Sequence, residues 1–348
     1  MKVAMLPRSP WWRENPYLGL LETGLRQVGV ATADDPNDGL SWRWLLQNRG
    51  TVDVLHLHWV HYHYDRDTAL HSAQALFIFA AKLALARVLG YRLVWTLHNL
   101  QPHEHRHPQI DRACWRIMAL LVHRIIVHCE ETGRQLRLRY GRRHGVYVIP
   151  HPNYVGVYPP PPDRREARRQ LGLDETHLVF LCFGAVRPYK GFQEAIQAFK
   201  QLPDPDARLV IAGRPLDEAI AQEIAALAQD DRRIVTALRF IPNAELPIYF
   251  SAADAVVLPF RTITTSGSAI LAMSLARPVL APALGCLPEL LAGDRGILYD
   301  PANPESLARA MRRCRELDLK AMGYAAYERV VPFTPTEVAA QHLSAYSR

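Results

Sequence analysis

The sequence predicts an α/β protein built as two Rossmann-like, doubly wound domains facing a cleft, and three observations carry that prediction. Short apolar runs alternate with helical patterns along the whole chain, as in parallel sheets covered by helices. The pattern breaks at Pro150-His-Pro152 and at the four prolines Pro159–Pro162, then restarts. The length, 348 residues, exceeds what one core usually holds and suits two domains of ordinary size.

In the first half, Val3–Leu6, Val52–His56, Arg92–Leu97, Arg124–His128 and Val146–Ile149 read as strands, with helices at Tyr17–Gln27, Ser72–Leu89 and Cys114–Val122. Four consecutive prolines continue neither a helix nor a central strand, so Pro159–Pro162 reads as a stiff linker. Beyond it, Leu178–Phe183, Ala207–Ala212, Ile234–Phe240, Ala255–Leu258 and Val279–Ala281 read as strands, with helices such as Phe192–Leu202 and Leu216–Ala228. The expected domains are 1–158 and 165–332. Ligands of such sheets bind beyond the carboxyl ends of the strands.

Hydrophobic residues make up 49% of the chain and charged residues 22%, a balance that fits a globular fold and excludes a disordered chain. The five cysteines are scattered without disulfide or metal-ligand spacing, and Met1–Pro7 reads as a strand rather than a signal peptide. A cytoplasmic location is the expectation, with the inner face of the cell membrane as the alternative. Residues 1–160 hold 19 Lys and Arg against 12 Asp and Glu, and residues 161–348 hold 22 of each. The whole net charge of +7 thus sits in the first half, which points to an anionic partner or to a merely solvated basic surface.

Ser72–Leu89 is rich in apolar residues, but Lys82 and Arg87 interrupt it, and a spanning helix needs about 20 mostly apolar residues. Transmembrane insertion is set aside. A buried core helix and a basic amphipathic helix resting on a membrane surface remain as readings.

The segment richest in chemistry is Phe183-Gly-Ala-Val-Arg-Pro-Tyr-Lys-Gly191. A buried strand ends at Gly184, where a missing side chain lets the backbone turn or approach a ligand. Arg187 offers a forked donor for two phosphate oxygens and Lys190 a compact charge. Gly191 then opens a helix, whose free N–H groups also favour an anion. A second strand, Ala255–Leu258, runs into the loop Thr264-Thr-Ser-Gly-Ser268 and an apolar helix. Ser266 suits a helix cap, while the amides around Gly267 and Ser268 suit a phosphate or a sugar hydroxyl. Thr265, and Gly213 after the strand Ala207–Ala212, complete the expected donor-binding set.

In the first half, His56-Leu-His-Trp-Val-His-Tyr-His63 and Thr96-Leu-His-Asn-Leu-Gln-Pro-His-Glu104 each follow a strand. Four histidines within eight residues suggest a metal, but strand alternation divides them between faces and no carboxylate or thiolate joins them at ligand spacing. No metal site is expected. His98, His103 and Glu104 are the candidates for taking a proton from an acceptor hydroxyl.

At these residues the chain resembles the GT-B glycosyltransferases. Arg187-x-x-Lys-Gly191, Ala253-Asp-Ala-Val-Val-Leu-Pro259, Ala276–Ala281 and Gly296–Pro301 match the broad family-4 pattern. Asn15-Pro-Tyr-Leu18, His56-Leu-His-Trp59, Thr96–Leu100, Pro102-His-Glu104, Ser266-Gly267 and Leu275–Pro282 look like the GDP-mannose:glycolipid 4-β-mannosyltransferase group of xanthan-type assembly. The resemblance implies a donor pocket in the second domain, with Arg187 and Lys190 on the donor diphosphate. It implies an acceptor pocket in the first, to which Asn15, Tyr17, His58 and Trp59 are assigned. It also implies that a last helix, about 333–348, crosses back onto the first domain.

One departure bears on mechanism. Retaining family-4 enzymes carry two glutamates with seven residues between them, and the corresponding positions here are Ile263 and Leu271. Neither side chain can hold a sugar or ribose hydroxyl. The expectation is therefore inverting, metal-independent transfer without a cofactor, with mannose from GDP-mannose moving onto a lipid-diphosphate-linked glycan. Glu104 or His103 would be the base and His98 a contact to the donor. A UDP- or dTDP-sugar donor with a different acceptor is the alternative, followed by a nucleotide-sugar 2-epimerase or a carbohydrate-binding protein without catalysis. Nucleic acid is not an expected partner.

Overall fold

The computed structural model describes residues 1–7, 16–33, 40–100 and 106–347. The chain divides into two compact units, Met1–Pro152 with Phe333–Arg348, and Asn153–Pro332.

The first unit is built on a parallel sheet of β1 (Lys2–Leu6), β2 (Ala31–Ala33), β3 (Val54–Leu57), β4 (Arg92–Thr96), β5 (Arg124–Val127) and β6 (Val146–Val148), in the order β2-β1-β3-β4-β5-β6. Successive side chains point to opposite faces, so each strand feeds two cores. Leu55 and Leu57 join Leu76, Phe79, Leu83, Trp115 and Met118 beneath the helices Trp42–Gln47, Ala69–Val88 and Pro108–Leu121. Val3, Met5 and Val54 face the other way, toward Tyr17, Leu21, Val338 and Tyr346 of the helices Tyr17–Gln27 and Pro335–Tyr346. Those two helices meet closely at Gly24, where a Cβ would stand 2.0 Å from the carbonyl oxygen of Pro335.

The second unit repeats the plan with β7 (Leu178–Phe183), β8 (Ala207–Ala212), β9 (Ile234–Ala237), β10 (Ala255–Val257), β11 (Val279–Pro282) and β12 (Gly296–Tyr299), ordered β12-β11-β10-β7-β8-β9. All its pairings are parallel. The central strands are apolar on both faces, as sheets covered on both sides require. Beside them Arg168 is fully buried. Its guanidinium meets Asp254 at 2.8 Å and donates to the carbonyls of Ala252, Asp174, Glu175 and His177.

Several boundaries differ from the sequence expectation. The division falls after Pro152 rather than at the proline run. The Asn153 amide donates to the carbonyls of Val330 and Val331, and the Tyr154 N–H donates to Ser274 Oγ, so 153–158 belongs with the second unit. The helix expected from Cys114 begins at Pro108, a residue suited to a first helical turn. The strands β2 and β12 and the helices Trp42–Gln47 and Glu130–Tyr140 were not anticipated; the last carries five charged residues and little apolar periodicity.

Candidate active site

In the second unit Gly184, Lys190, Gly213 and Ser268, four of the residues expected to bind the donor, lie together. β7 ends at Phe183, and Gly184 follows with φ of 111°, a conformation that L side chains rarely adopt. A Cβ there would lie 2.7 Å from Lys190 Nζ and 3.8 Å from Ser268 Oγ, so both loops close on one backbone position. Gly213, with φ of 153°, is packed so tightly that a Cβ would stand 1.9 Å from the Gly184 carbonyl oxygen. Gly191 is left-handed, and a Cβ on it would stand 1.9 Å from the carbonyl oxygen of Pro259. All three glycines are steric requirements of one cradle.

Backbone bonds fix the loop between them. Val186 N–H donates to the Arg214 carbonyl, Leu216 N–H to that of Val186, and Arg261 N–H to that of Tyr189. Arg187 is half-buried at the start of the turn, and Lys190 is only 9% exposed. Burial, with Arg187 beside it, brings the Lys190 ammonium down to about 8. Among the described residues no carboxylate pairs with this lysine, and a buried cation of this kind suits an anionic ligand.

Ser266 caps the helix Gly267–Ser274, accepting from Ala269 N–H at 3.1 Å, which is the capping role weighed from sequence. The N–H groups of Gly267 and Ser268 open that helix; Thr265 is half-buried and lies 3.5 Å from Cys286 Sγ. Leu271 is buried in the same helix and Ile263 is half-buried before it, so the two positions of the family-4 glutamates present hydrocarbon.

In the first unit the structure gathers Tyr17, His58, Trp59 and His98. His58 Nδ1 lies 3.0 Å from His98 Nε2, and the Trp59 ring stacks on His98 with centroids 4.4 Å apart. Tyr17 meets His98 edge-on at 4.8 Å. Trp59 adopts φ of 27°, a strained conformation of the kind that collects at functional sites. With Trp95, Asn99 and Trp115, Trp59 and His98 line a small cavity. Asn15, His103 and Glu104 lie outside the described residues.

Sequence reasoning missed most of the histidines here. His56, His128, His151 and His342 lie around the same group, with His151 and His128 facing Tyr17 at 4.8 and 5.8 Å. The signal was available. His58, His98, His128 and His151 each come just past the end of a successive parallel strand, β3 to β6. Burial holds His56, His58 and His98 well below the ordinary imidazole value, and brings His128 to about 4 and His151 to about 3. These rings are neutral at pH 7. The run His56–His63 converges only in part: the rings of His56 and His58 lie 4.2 Å apart, with His56 also bonded to Thr96 and Tyr346, while His63 stacks on Phe79. Among the described residues no three His, Cys, Asp or Glu side chains group to hold a metal ion.

The profile of the glycosyl transferases group 1 matches residues 163–329, the unit that holds the cradle. The GDP-mannose:glycolipid 4-beta-D-mannosyltransferase of Xanthomonas campestris pv. campestris is 32% identical over 271 residues, 77% of this chain and 70% of that protein. The chain belongs to the group 1 glycosyltransferases and is a glycosyltransferase. Among solved structures, sucrose-phosphate synthase from Thermosynechococcus elongatus matches with a TM-score of 0.78 at 19% identity, covering 99% of this chain and 98% of that one. Anabaena HepE in complex with UDP and glucose matches with a TM-score of 0.75, again at 19% identity and with 99% and 98% covered. The fold is GT-B.

Proposed function

We propose that the enzyme transfers mannose from GDP-mannose to a lipid-diphosphate-linked glycan, with inversion at the anomeric carbon and without a metal ion or other cofactor. The observation that carries the donor half is Lys190: a buried ammonium over Gly184, beside Arg187 and facing Ser268. A nucleoside diphosphate placed on this cradle would meet two cations and the amides of Gly267 and Ser268, which together offset the charge that grows on the leaving group. The relative from Xanthomonas supports mannose, guanosine and a glycolipid acceptor.

Inversion is supported by Ile263 and Leu271, because a retaining site of the family-4 kind would place carboxylates there. Direct displacement needs a base on the acceptor side. Glu104 and His103 are the proposed bases, and His98, neutral at pH 7, is the proposed contact to the donor. Asn15, Tyr17, His58 and Trp59 are proposed to hold the acceptor.

The test is direct. GDP should raise the unfolding temperature of the purified enzyme more than UDP does, since a ligand of the native state alone stabilises it. The product of GDP-mannose turnover should carry the β configuration. A shift with UDP and none with GDP would remove the mannose assignment, and an α product would remove inversion. Equal turnover by the wild type, Glu104→Gln and His103→Ala would remove the base assignment.

A further inference from the structure

The helix Ala69–Val88 is long and apolar enough to cross a membrane by length and composition, yet its inner face cannot leave the protein. Leu76, Phe79, Leu83 and Ala86 are buried in the core over β3 and β4. The outer face is equally apolar. Leu70, Phe77, Ile78 and Val88 are 67%, 76%, 47% and 83% exposed, and Ala73, Ala81, Ala84 and Leu85 lie between them at helical spacing. From Leu70 to Val88 the stripe runs about 27 Å. Gln74 lies within it, and His71, Lys82 and Arg87 border it.

The neighbouring helices extend this surface. Trp42–Gln47, Pro108–Leu121 and Glu130–Tyr140 bury Trp44, Met118 and Leu136 in the same core, so their outer faces lie on the same side of the sheet. They expose Trp42, Leu46, Leu120 and Leu138. Eight of the fifteen large apolar residues exposed among the described residues thus fall on this layer of four helices. Stray apolar residues on a surface are ordinary, but a concentration of this kind is not.

Charge identifies the occupant. The four helices carry eight Lys and Arg against three acids, and Ala69–Val88 carries no acid at all. Of these acids, Asp111 accepts from Tyr64 and Glu131 pairs with Arg134. Arg43, Arg112 and Arg116 are exposed, and Lys82 lies over the Trp42 ring. A second copy of the chain would bring like charge against like charge. An anionic bilayer satisfies both features, taking the apolar stripe into the boundary of its acyl region and the cations among its headgroups.

We propose that the outer face of Ala69–Val88, with its basic flanks, docks flat on an anionic lipid bilayer. The inference rests on the lipid-linked acceptor reading for its biological sense and on the first unit's surface for its physical content. It is tested without donor or acceptor, so its failure is separate from failure of that reading. The full-length enzyme is sedimented with vesicles of phosphatidylcholine alone and of phosphatidylcholine with phosphatidylglycerol. Binding should be at least about tenfold tighter to the mixed vesicles and should weaken with salt.

The double variant Phe77→Glu/Ile78→Glu should lose about tenfold or more of that binding, and Arg112→Glu/Arg116→Glu several-fold. Phe77→Ser/Ile78→Ser, which introduces no charge, should also bind more weakly than wild type. Unchanged unfolding temperatures will show that the variants fold, as expected at exposed positions. Three results would overturn the proposal: no binding of wild type to the mixed vesicles, equal binding by the variants, or a wild-type dimer that Phe77→Glu/Ile78→Glu converts to monomer.

Discussion

The Tyr346 hydroxyl lies 2.7 Å from His56 Nδ1, joining residues 290 positions apart inside the first unit. The other nitrogen of His56 lies 2.7 Å from Thr96 Oγ1, so one imidazole couples β3, β4 and the helix Pro335–Tyr346. Both His56 and Tyr346 are buried. Tyr346→Phe removes one partner and leaves the His56 nitrogen unsatisfied, which should destabilise the first unit by roughly 1–3 kcal/mol. Urea unfolding followed by a probe in that unit measures it. A change within error would mean that the contact contributes nothing to stability.

Acid should destabilise the first unit through its histidines. His128 and His342 are brought down to about 4 and His151 to about 3, from an ordinary 6.5. Each folded value lies below the unfolded one, so the unfolded chain binds more protons and stability rises with pH. Stability is therefore complete above about pH 6.5 and falls as the pH drops from there toward 4, by up to about 1.4 kcal/mol per pH unit for each proton taken up. Unfolding temperatures measured across this range should fall steeply. A flat profile between pH 7 and about 5 would contradict burial of the neutral rings.

Lys190 should give donor binding its own pH dependence. With the ammonium at about 8 in the free enzyme, a nucleoside diphosphate meets a protonated lysine below that value and a neutral one above it. Affinity should be level near neutrality and weaken by up to about tenfold per unit above pH 8. Lys190→Arg keeps its charge throughout and should lose this dependence. Calorimetric titration of GDP into both proteins decides the point, and identical profiles would place Lys190 away from the phosphates.

Gly213→Ala should disable the donor cradle. A Cβ 1.9 Å from the Gly184 carbonyl oxygen forces the backbone of one loop to move, costing roughly 3 kcal/mol or more. Expected are a lower unfolding temperature and at least about a tenfold loss in nucleotide affinity, read by calorimetry. Retention of both at wild-type values would show that the two loops yield readily.

Much of this was legible in the sequence because strand periodicity and phosphate chemistry are local signals. Leu178–Phe183 was delimited from its apolar run, and Gly184, Arg187 and Lys190 from their place between a strand and a helix. The rest depends on chain reversal in space. Nothing near Asn153 in sequence shows that its amide meets the carbonyls of Val330 and Val331, so the proline run drew the expected boundary too late. The histidine group was legible only in part: His58, His98, His128 and His151 stand just past strand ends, but that β3 to β6 lie side by side, and that the helix Pro335–Tyr346 brings His342 to His56, appears only in the fold. Ala69–Val88 was harder still. Apolar residues lie on most of its circumference, broken by Lys82 and Arg87, and only the fold shows which side is covered.

The helix Pro335–Tyr346 also sets an order of assembly. It supplies Val338, Ala339, Ala345 and Tyr346 to a core whose other members all precede Pro152. During synthesis those residues leave the ribosome only after the whole of Asn153–Pro332, a delay on the order of ten seconds or more at ordinary elongation rates. The second unit is continuous and can close as it emerges. Until then the face that carries Val3, Met5 and Val54 has the cover of Tyr17–Gln27 but not that of Pro335–Tyr346, a partly open surface on which chaperones can act. A chain cut short anywhere in the second unit keeps that face open permanently, so incomplete copies of the enzyme expose the very surface by which quality control can recognise them.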